Sequence, residues 1–259
     1  MSNPPMSDFS KELLHGPGYS VPCLYDIKGN EKTVCVVVHG FGGSKDSFTA
    51  RMVLKGLPPL GIGAIAFDLP AHGESEVSGE FLRIENCLTD LSVTDARARV
   101  LAPGAEIVYF CSSFGAYITL IYLASREAGG PARAFLRSAA VSMPRIFITL
   151  LKSEQRELMK ASGEIILKGS EYGYSRDLKL TQGFLDDLAR FDVFSLWRPG
   201  TAGLCMVHGE ADEVVPLVDV ESFAGMFDVP LTVIPGGDHK LSVPGAPELV
   251  LKTASEFYL

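Results

Sequence analysis

Three short stretches of this sequence carry side chains able to do chemistry together: Cys111-Ser112-Ser113-Phe114-Gly115, Gly209-Glu210-Ala211-Asp212-Glu213 and Gly236-Gly237-Asp238-His239. A serine hydroxyl is too weak an acid to attack a carbonyl unaided. It needs a base to take its proton and a carboxylate to hold that base in the right tautomer. Ser113, His239 and Asp212 are the candidates for nucleophile, base and orienting acid.

Ser113 is the centre of a small-x-Ser-x-Gly pattern. A sharp turn of this kind strains the central residue, and small residues two positions to either side avoid collision with the adjoining strand and helix. Cys111 stands where glycine is usual, which implies a tighter elbow. The amide of Phe114, at the start of the following helix, would face an oxygen turning negative beside Ser113. The glycine-rich His39-Gly40-Phe41-Gly42-Gly43 offers the Phe41 amide as a second donor if its backbone reaches Ser113. Each stretch alone also fits an ordinary strand exit, so the case rests on their order and placement.

Five histidines compete for the base. His15 precedes the expected first strand, His39 adjoins the glycine loop, His72 lies in a loop and His208 ends an apolar strand. His239 alone follows the last strand on a Gly-Gly turn. For the acid, Asp212 has neighbours in Glu210 and Glu213, and Glu210 could partly stand in for it; Asp238 reads as a local turn cap. Asp68 and His72 read as loop braces without chemistry.

These residues need a frame that gathers them. Glu106 to Arg126 reads as a β-branched and aromatic strand, an abrupt turn and a helix. Thr33 to Val38 is a continuous apolar run, as in a strand covered on both faces. Further strands are expected at Gly61 to Phe67, Ala134 to Val141, Leu204 to His208 and Leu231 to Ile234. An opening strand, Tyr19 to Ile27, contains Pro22, which favours a sheet edge. Helices are expected after a Ser44 or Asp46 cap, around Ile84 to Leu91, and over Leu217 to Phe227 and Pro247 to Tyr258, with a chain break at Gly129-Gly130-Pro131. This alternation implies right-handed crossovers and a mainly parallel sheet. The residues just past Phe110, His208 and Ile234 then become neighbours along one edge.

From Pro144 to about Arg190 the alternation stops. A helix around Ile146 to Met159 and a mixed stretch from Glu164 to Leu180 suggest an insertion, 144–190, placed as a cap over Ser113 within a core of 1–143 and 191–259. Its apolar side chains would make a partly apolar pocket.

The pieces HGFGG, AFDLPAHGES, CSSFGA, HGEADEVVP and GGDHK, spread from residue 39 to 240, resemble the α/β-hydrolase superfamily, in particular its capped serine esterase and serine-aminopeptidase-like (monoglyceride-lipase-like) branch. The resemblance covers nearly the whole chain. It implies an α/β fold with a mainly parallel, eight-stranded-type sheet flanked by helices and a small cap. It also implies a serine carboxylesterase-like hydrolase with Ser113 as nucleophile, His239 as base, Asp212 as acid, and the Phe41 and Phe114 amides as the oxyanion hole. Thioesterase, acyltransferase and aminopeptidase activities share the same triad, and a non-catalytic ligand-binding protein of this fold is the non-enzymatic alternative. Serine at 113 disfavours the carboxylate-nucleophile chemistry of haloalkane dehalogenases and epoxide hydrolases. Cys111, two residues early, disfavours a dienelactone-hydrolase-like thiol enzyme.

Composition narrows the classes further. The 259 residues suffice for a full core. A net charge of −8 without a basic run speaks against nucleic acid. Mean hydropathy is +0.20, yet the longest apolar stretches are too short to span a bilayer. The start, MSNPPMSDFSKELL, lacks the pattern of an export leader, so a cytoplasmic location is expected. The five cysteines show no ligand spacing and read as free core thiols. The expected partner is a small-molecule ester, the mechanism calls for no metal or organic cofactor, and pairing of two copies into a homodimer is compatible with the sequence.

Overall fold

The computed structural model describes residues 9–16, 18–126 and 132–259. The expected break at Gly129-Gly130-Pro131, and the first residues on which the leader reading partly rests, lie outside them. In chain order the elements are β1 (Ser10–His15), β2 (Ser20–Asp26), β3 (Thr33–Val38), α1 (Phe48–Gly56), β4 (Ile62–Phe67), α2 (Ile84–Leu101), β5 (Glu106–Ser112), α3 (Phe114–Ser125) and β6 (Arg133–Arg137). Then follow α4 (Met143–Leu150), α5 (Ser153–Ser162), β7 (Glu164–Leu167), α6 (Gly169–Tyr172), β8 (Leu178–Thr181), α7 (Gln182–Arg190) and α8 (Val193–Leu196). The chain ends with β9 (Gly203–Gly209), α9 (Leu217–Phe227), β10 (Leu231–Ile234) and α10 (Ala246–Tyr258).

Eight strands form one sheet in the order β1-β2-β4-β3-β5-β6-β9-β10. β2 runs antiparallel to β1 and β4, and every pairing from β4 to β10 is parallel. The apolar runs follow from this position. Along β3, Val34, Val36 and Val38 enter one core with α2 and α3, while Cys35 and Val37 enter the other with α1 and α10. β5 repeats the division, Ile107, Tyr109 and Cys111 on one face and Val108 and Phe110 on the other. Each such fully buried valine or isoleucine contributes on the order of 1.5–3 kcal/mol, so neither face tolerates a polar period. Among the described residues no helix is long and apolar enough to cross a membrane.

The structure corrects several local expectations. Pro22 is not at an edge: β1, too short and too exposed to stand out in the sequence, pairs with β2 and covers it, and His15 is the last residue of β1 rather than a residue before the first strand. The cap of α1 is Ser47, whose side chain accepts from the Ala50 amide, instead of Ser44 or Asp46. β6 stops at Arg137 rather than Val141, and Ser138 then takes a positive φ of 48°. The single helix expected around Ile146 to Met159 is two. Arg156 donates to the carbonyls of Ile148 and Leu151 at the end of α4, and the Gln155 side chain accepts from the Lys152 amide at the start of α5, so the break leaves those groups bonded. Beyond it, β7 and β8 form an antiparallel pair burying Ile165, Leu167, Leu178 and Leu180.

Candidate active site

Ser113 joins β5 to α3 with φ 51° and ψ −115°, a conformation that L-residues adopt only under constraint. The constraint is visible. Its amide donates to the Arg137 carbonyl at 2.9 Å, and its carbonyl accepts from Ala116 at 3.0 Å and Ala140 at 3.3 Å. A Cβ on Gly115 would stand 2.3 Å from the Val38 carbonyl oxygen, so this flank of the elbow admits only glycine. The other flank is roomier. Cys111 is fully buried, its thiol 3.1 Å from the Thr119 hydroxyl, which itself donates to the Gly115 carbonyl at 2.8 Å. Burial pushes that thiol well above its ordinary range, leaving it un-ionised and a packing group.

The sheet brings the three candidate side chains together. His239 Nε2 lies 3.0 Å from Ser113 Oγ, and His239 Nδ1 lies 2.8 Å from Asp212 Oδ2 and 3.0 Å from Oδ1. Asp212 is fully buried, and its Oδ1 also accepts from the Val214 and Val215 amides at 2.9 and 2.8 Å. Burial works to raise its pKa, but the hydrogen bond and charge of His239 together with the two amides outweigh it, so the carboxyl is held below the usual value. With Asp212 an acceptor, Nδ1 carries the proton and Nε2 is free to accept from the hydroxyl. A hydroxyl so placed can transfer its proton to the ring as it attacks a carbonyl.

The loop bearing His239 is gripped by Arg137 and Ser138, for which the sequence suggested no role, and by Glu213. Ser138 Oγ donates to the His239 carbonyl at 2.9 Å, Arg137 donates to the Lys240 carbonyl, and Glu213 accepts from the His239 amide at 3.1 Å. Burial lowers Arg137 to about 10, against the opposing pull of Asp212 and Asp238. A charged residue inside the apolar run AFLRSAAV was the available signal. Glu210 points away from the site, accepting from the Gly236 amide at 2.9 Å, so it is not placed to stand in for Asp212. Asp238 accepts from the Ser242 amide and hydroxyl, a local turn.

Three further histidines are buried and bond other partners than Ser113. His39 is buried, Nδ1 donating to the Gly40 carbonyl and Nε2 accepting from Leu69, and burial lowers it to about 4. His72 Nδ1 donates to the Pro70 carbonyl, and burial lowers it to about 3. His208 bonds the Val215 carbonyl at 3.0 Å and backs Asp212 at 3.3 Å; burial lowers it as well. Asp68 braces its loop, accepting from the Lys45 and Glu74 amides.

Gly40 packs against Ser113: a Cβ there would be 3.2 Å from the serine Cβ. Gly43 donates to the Gly40 carbonyl, closing a four-residue turn, and with φ +76° at Gly42 this is a type II turn. Neither the Phe41 nor the Phe114 amide has an acceptor among the described residues. Above them opens a cavity of about 820 Å³ lined by Phe41, Ile146, Phe147, Leu150 and Tyr174, with Ser113 and His239 at its base. Phe41 is its hub, in edge contact with Phe147 and Tyr174 at 5.1 and 5.6 Å.

The sequence profile of the alpha/beta hydrolase family matches residues 35–253. No curated protein matches the sequence. Among solved structures, Est1E from Butyrivibrio proteoclasticus with ferulic acid bound superposes with a TM-score of 0.80 at 21% identity, covering 95% of this chain and 97% of its own. Mouse alpha/beta hydrolase domain-containing protein 10 gives 0.74 at 18% identity, covering 96% of this chain and 98% of its own. A lidless a/b serine hydrolase from Xanthomonas campestris gives 0.67 at 18%, covering 99% and 98%. At these identities the likeness is one of fold.

Proposed function

The chain belongs to the alpha/beta hydrolase family, and from that membership we propose that it is a serine hydrolase cleaving a carboxylic ester of small to medium acyl or aryl group through an acyl-serine intermediate. The observation that carries the reading is the relay from Ser113 Oγ through His239 to the buried Asp212, at 3.0 and 2.8 Å.

In this reading Ser113 Oγ attacks the ester carbonyl carbon while His239 Nε2 takes its proton. Asp212 holds the ring in the competent tautomer and stabilises the imidazolium. The negative oxygen is met by the Phe41 and Phe114 amides, the latter at the start of α3; donors aimed at that oxygen are worth about 10²–10³ each in rate. The imidazolium then protonates the departing alcohol. Water, deprotonated by the same nitrogen, hydrolyses the acyl-serine and restores the hydroxyl.

The segment 144–190 acts as the cap of this site, over a core of 1–143 and 191–259. Support comes from the cavity lining, since Ile146, Phe147, Leu150 and Tyr174 all belong to it. The aromatic lining suits an apolar or aryl acyl group, and Est1E, a protein of the same fold, binds ferulic acid. The test is labelling by a fluorophosphonate probe together with hydrolysis of p-nitrophenyl esters. Both are expected in the native chain and absent in Ser113→Ala; a folded native chain that neither labels nor turns over would overturn the reading.

A further inference from the structure

The turn that presents Phe41 is built almost entirely of glycine, Gly40, Gly42 and Gly43, and so has little rigidity of its own. What holds it comes from the segment between α6 and β8. The Ser175 amide donates to the Gly42 carbonyl at 2.8 Å, and the Ser175 hydroxyl donates to the Gly43 carbonyl at 3.0 Å. The Tyr174 ring lies directly on Gly42: a Cβ there would fall 2.0 Å from a ring carbon. The same ring meets Phe41 edge-on at 5.6 Å and stacks on Tyr172 at 5.3 Å. One residue further, Arg176 donates to the Ser75 carbonyl at 2.9 Å, tying this strap to the neighbouring core loop.

The turn is therefore gripped from two sides. Gly40 is pressed against Ser113, and the carbonyls of Gly42 and Gly43 are taken up by Ser175. The Gly40 carbonyl shares its peptide with the Phe41 amide and accepts from Gly43 at 3.0 Å, so holding Gly42 and Gly43 in place also holds the peptide that aims the Phe41 N–H.

We propose that Tyr174 and Ser175 are positioning residues for the oxyanion amide of Phe41, so that the seating of the cap sets the rate of the chemical step and not only the shape of the pocket. The inference rests on the serine-hydrolase reading above. It goes beyond it in making the cap part of the machinery that stabilises charge: donors held in place before the reaction lower the barrier, whereas donors that must first be ordered give back part of that gain.

Two variants test it. Ser175→Pro removes the amide and hydroxyl bonds together; Tyr174→Ala removes the ring and leaves the backbone free to keep its place. In each, kcat for p-nitrophenyl butyrate is expected to fall roughly 10- to 100-fold; KM stays within about twofold in Ser175→Pro and rises as well in Tyr174→Ala, which also loses a pocket wall. The inhibition constant of an alkyl trifluoromethyl ketone should rise in parallel with the fall in kcat. That probe adds Ser113 Oγ to its carbonyl carbon, passes the hydroxyl proton to His239 and leaves a negative oxygen in the hole, so it reads the same stabilisation. Thermal midpoints near the native value show that the core persists. If instead KM rises and kcat holds in Tyr174→Ala, the ring is only a pocket wall and the inference is wrong; native kcat in both variants refutes it equally. A native chain without hydrolysis and without fluorophosphonate labelling at Ser113 removes the serine-hydrolase reading itself and this inference with it, an outcome distinct from labelled native enzyme with indifferent variants.

Discussion

The thiol of Cys111 rests 3.1 Å from the hydroxyl of Thr119, so the flank of the elbow that usually carries glycine holds a side chain packed against the first turns of α3. The opposite flank, Gly115, faces the Val38 carbonyl with no room for a methyl group. The elbow is thus asymmetric: one side is filled and the other is closed.

Cys111→Gly is expected to leave kcat within a few-fold of native, because Ser113 keeps its bonds to Arg137 and Ala140. It should lower stability by about 1–3 kcal/mol through lost packing and added backbone freedom. Gly115→Ala should abolish turnover and lower the thermal midpoint, since the central strand would have to move. Turnover and denaturant midpoints of the two variants check this contrast.

Removing the proposed nucleophile or the proposed base, Ser113→Ala or His239→Ala, should reduce hydrolysis of short p-nitrophenyl esters by about 10³-fold or more. Circular dichroism of both variants should match native protein, for neither side chain supports the core. Full activity in either would refute the assignment.

Asp212→Asn should cost about 10⁴ in kcat by stabilising the wrong imidazole tautomer. Glu210 is engaged by the Gly236 amide and Glu213 by the His239 amide, so neither of these two carboxylates is placed to compensate. Adding Glu210→Gln to Asp212→Asn should change nothing further; an additional loss would show that the neighbour does help.

Asp90 sets a pH dependence of stability. It is buried on α2, accepts from the Tyr19 hydroxyl at 2.8 Å, and its second oxygen has no partner among the described residues. Burial pushes it up to about 7 against the opposing effect of that hydrogen bond. A folded pKa above the unfolded one means that the stability is fully present below about pH 4 and is lost as pH rises through 7. The loss is on the order of a few kcal/mol. Urea midpoints should fall between pH 5 and pH 8 in the native chain and stay nearly level in Asp90→Asn.

Much of the frame was readable because punctuation was clear. Leu217–Phe227 and Leu231–Ile234 are bounded by proline, glycine or aspartate, and TVCVVV admits no reading but a strand covered on both faces. The meeting of Ser113, Asp212 and His239 at one edge follows from parallel strands alone. What escaped depends on contacts distant in sequence. SKELLH buries only Leu14 and so shows no strand signal, yet it covers Pro22. Three capping residues, Ser44, Asp46 and Ser47, lie within four positions, and only the backbone of Ala50 chooses among them. Arg137 and Ser138 reach the His239 loop across about a hundred residues, a link no local pattern records. Tyr174 and Ser175 reach the glycine turn over a similar distance.

All five cysteines are buried and unpaired, four of them on strands of the main sheet, Cys111 at the elbow among these, and Cys87 on α2. With every thiol buried, disulfide exchange has no handle on the folded molecule, and the exposed thioether of Met226 lies on α9. Packing rather than a disulfide therefore holds the shape of the candidate site, and it is that packing which shields the thiol inside the elbow.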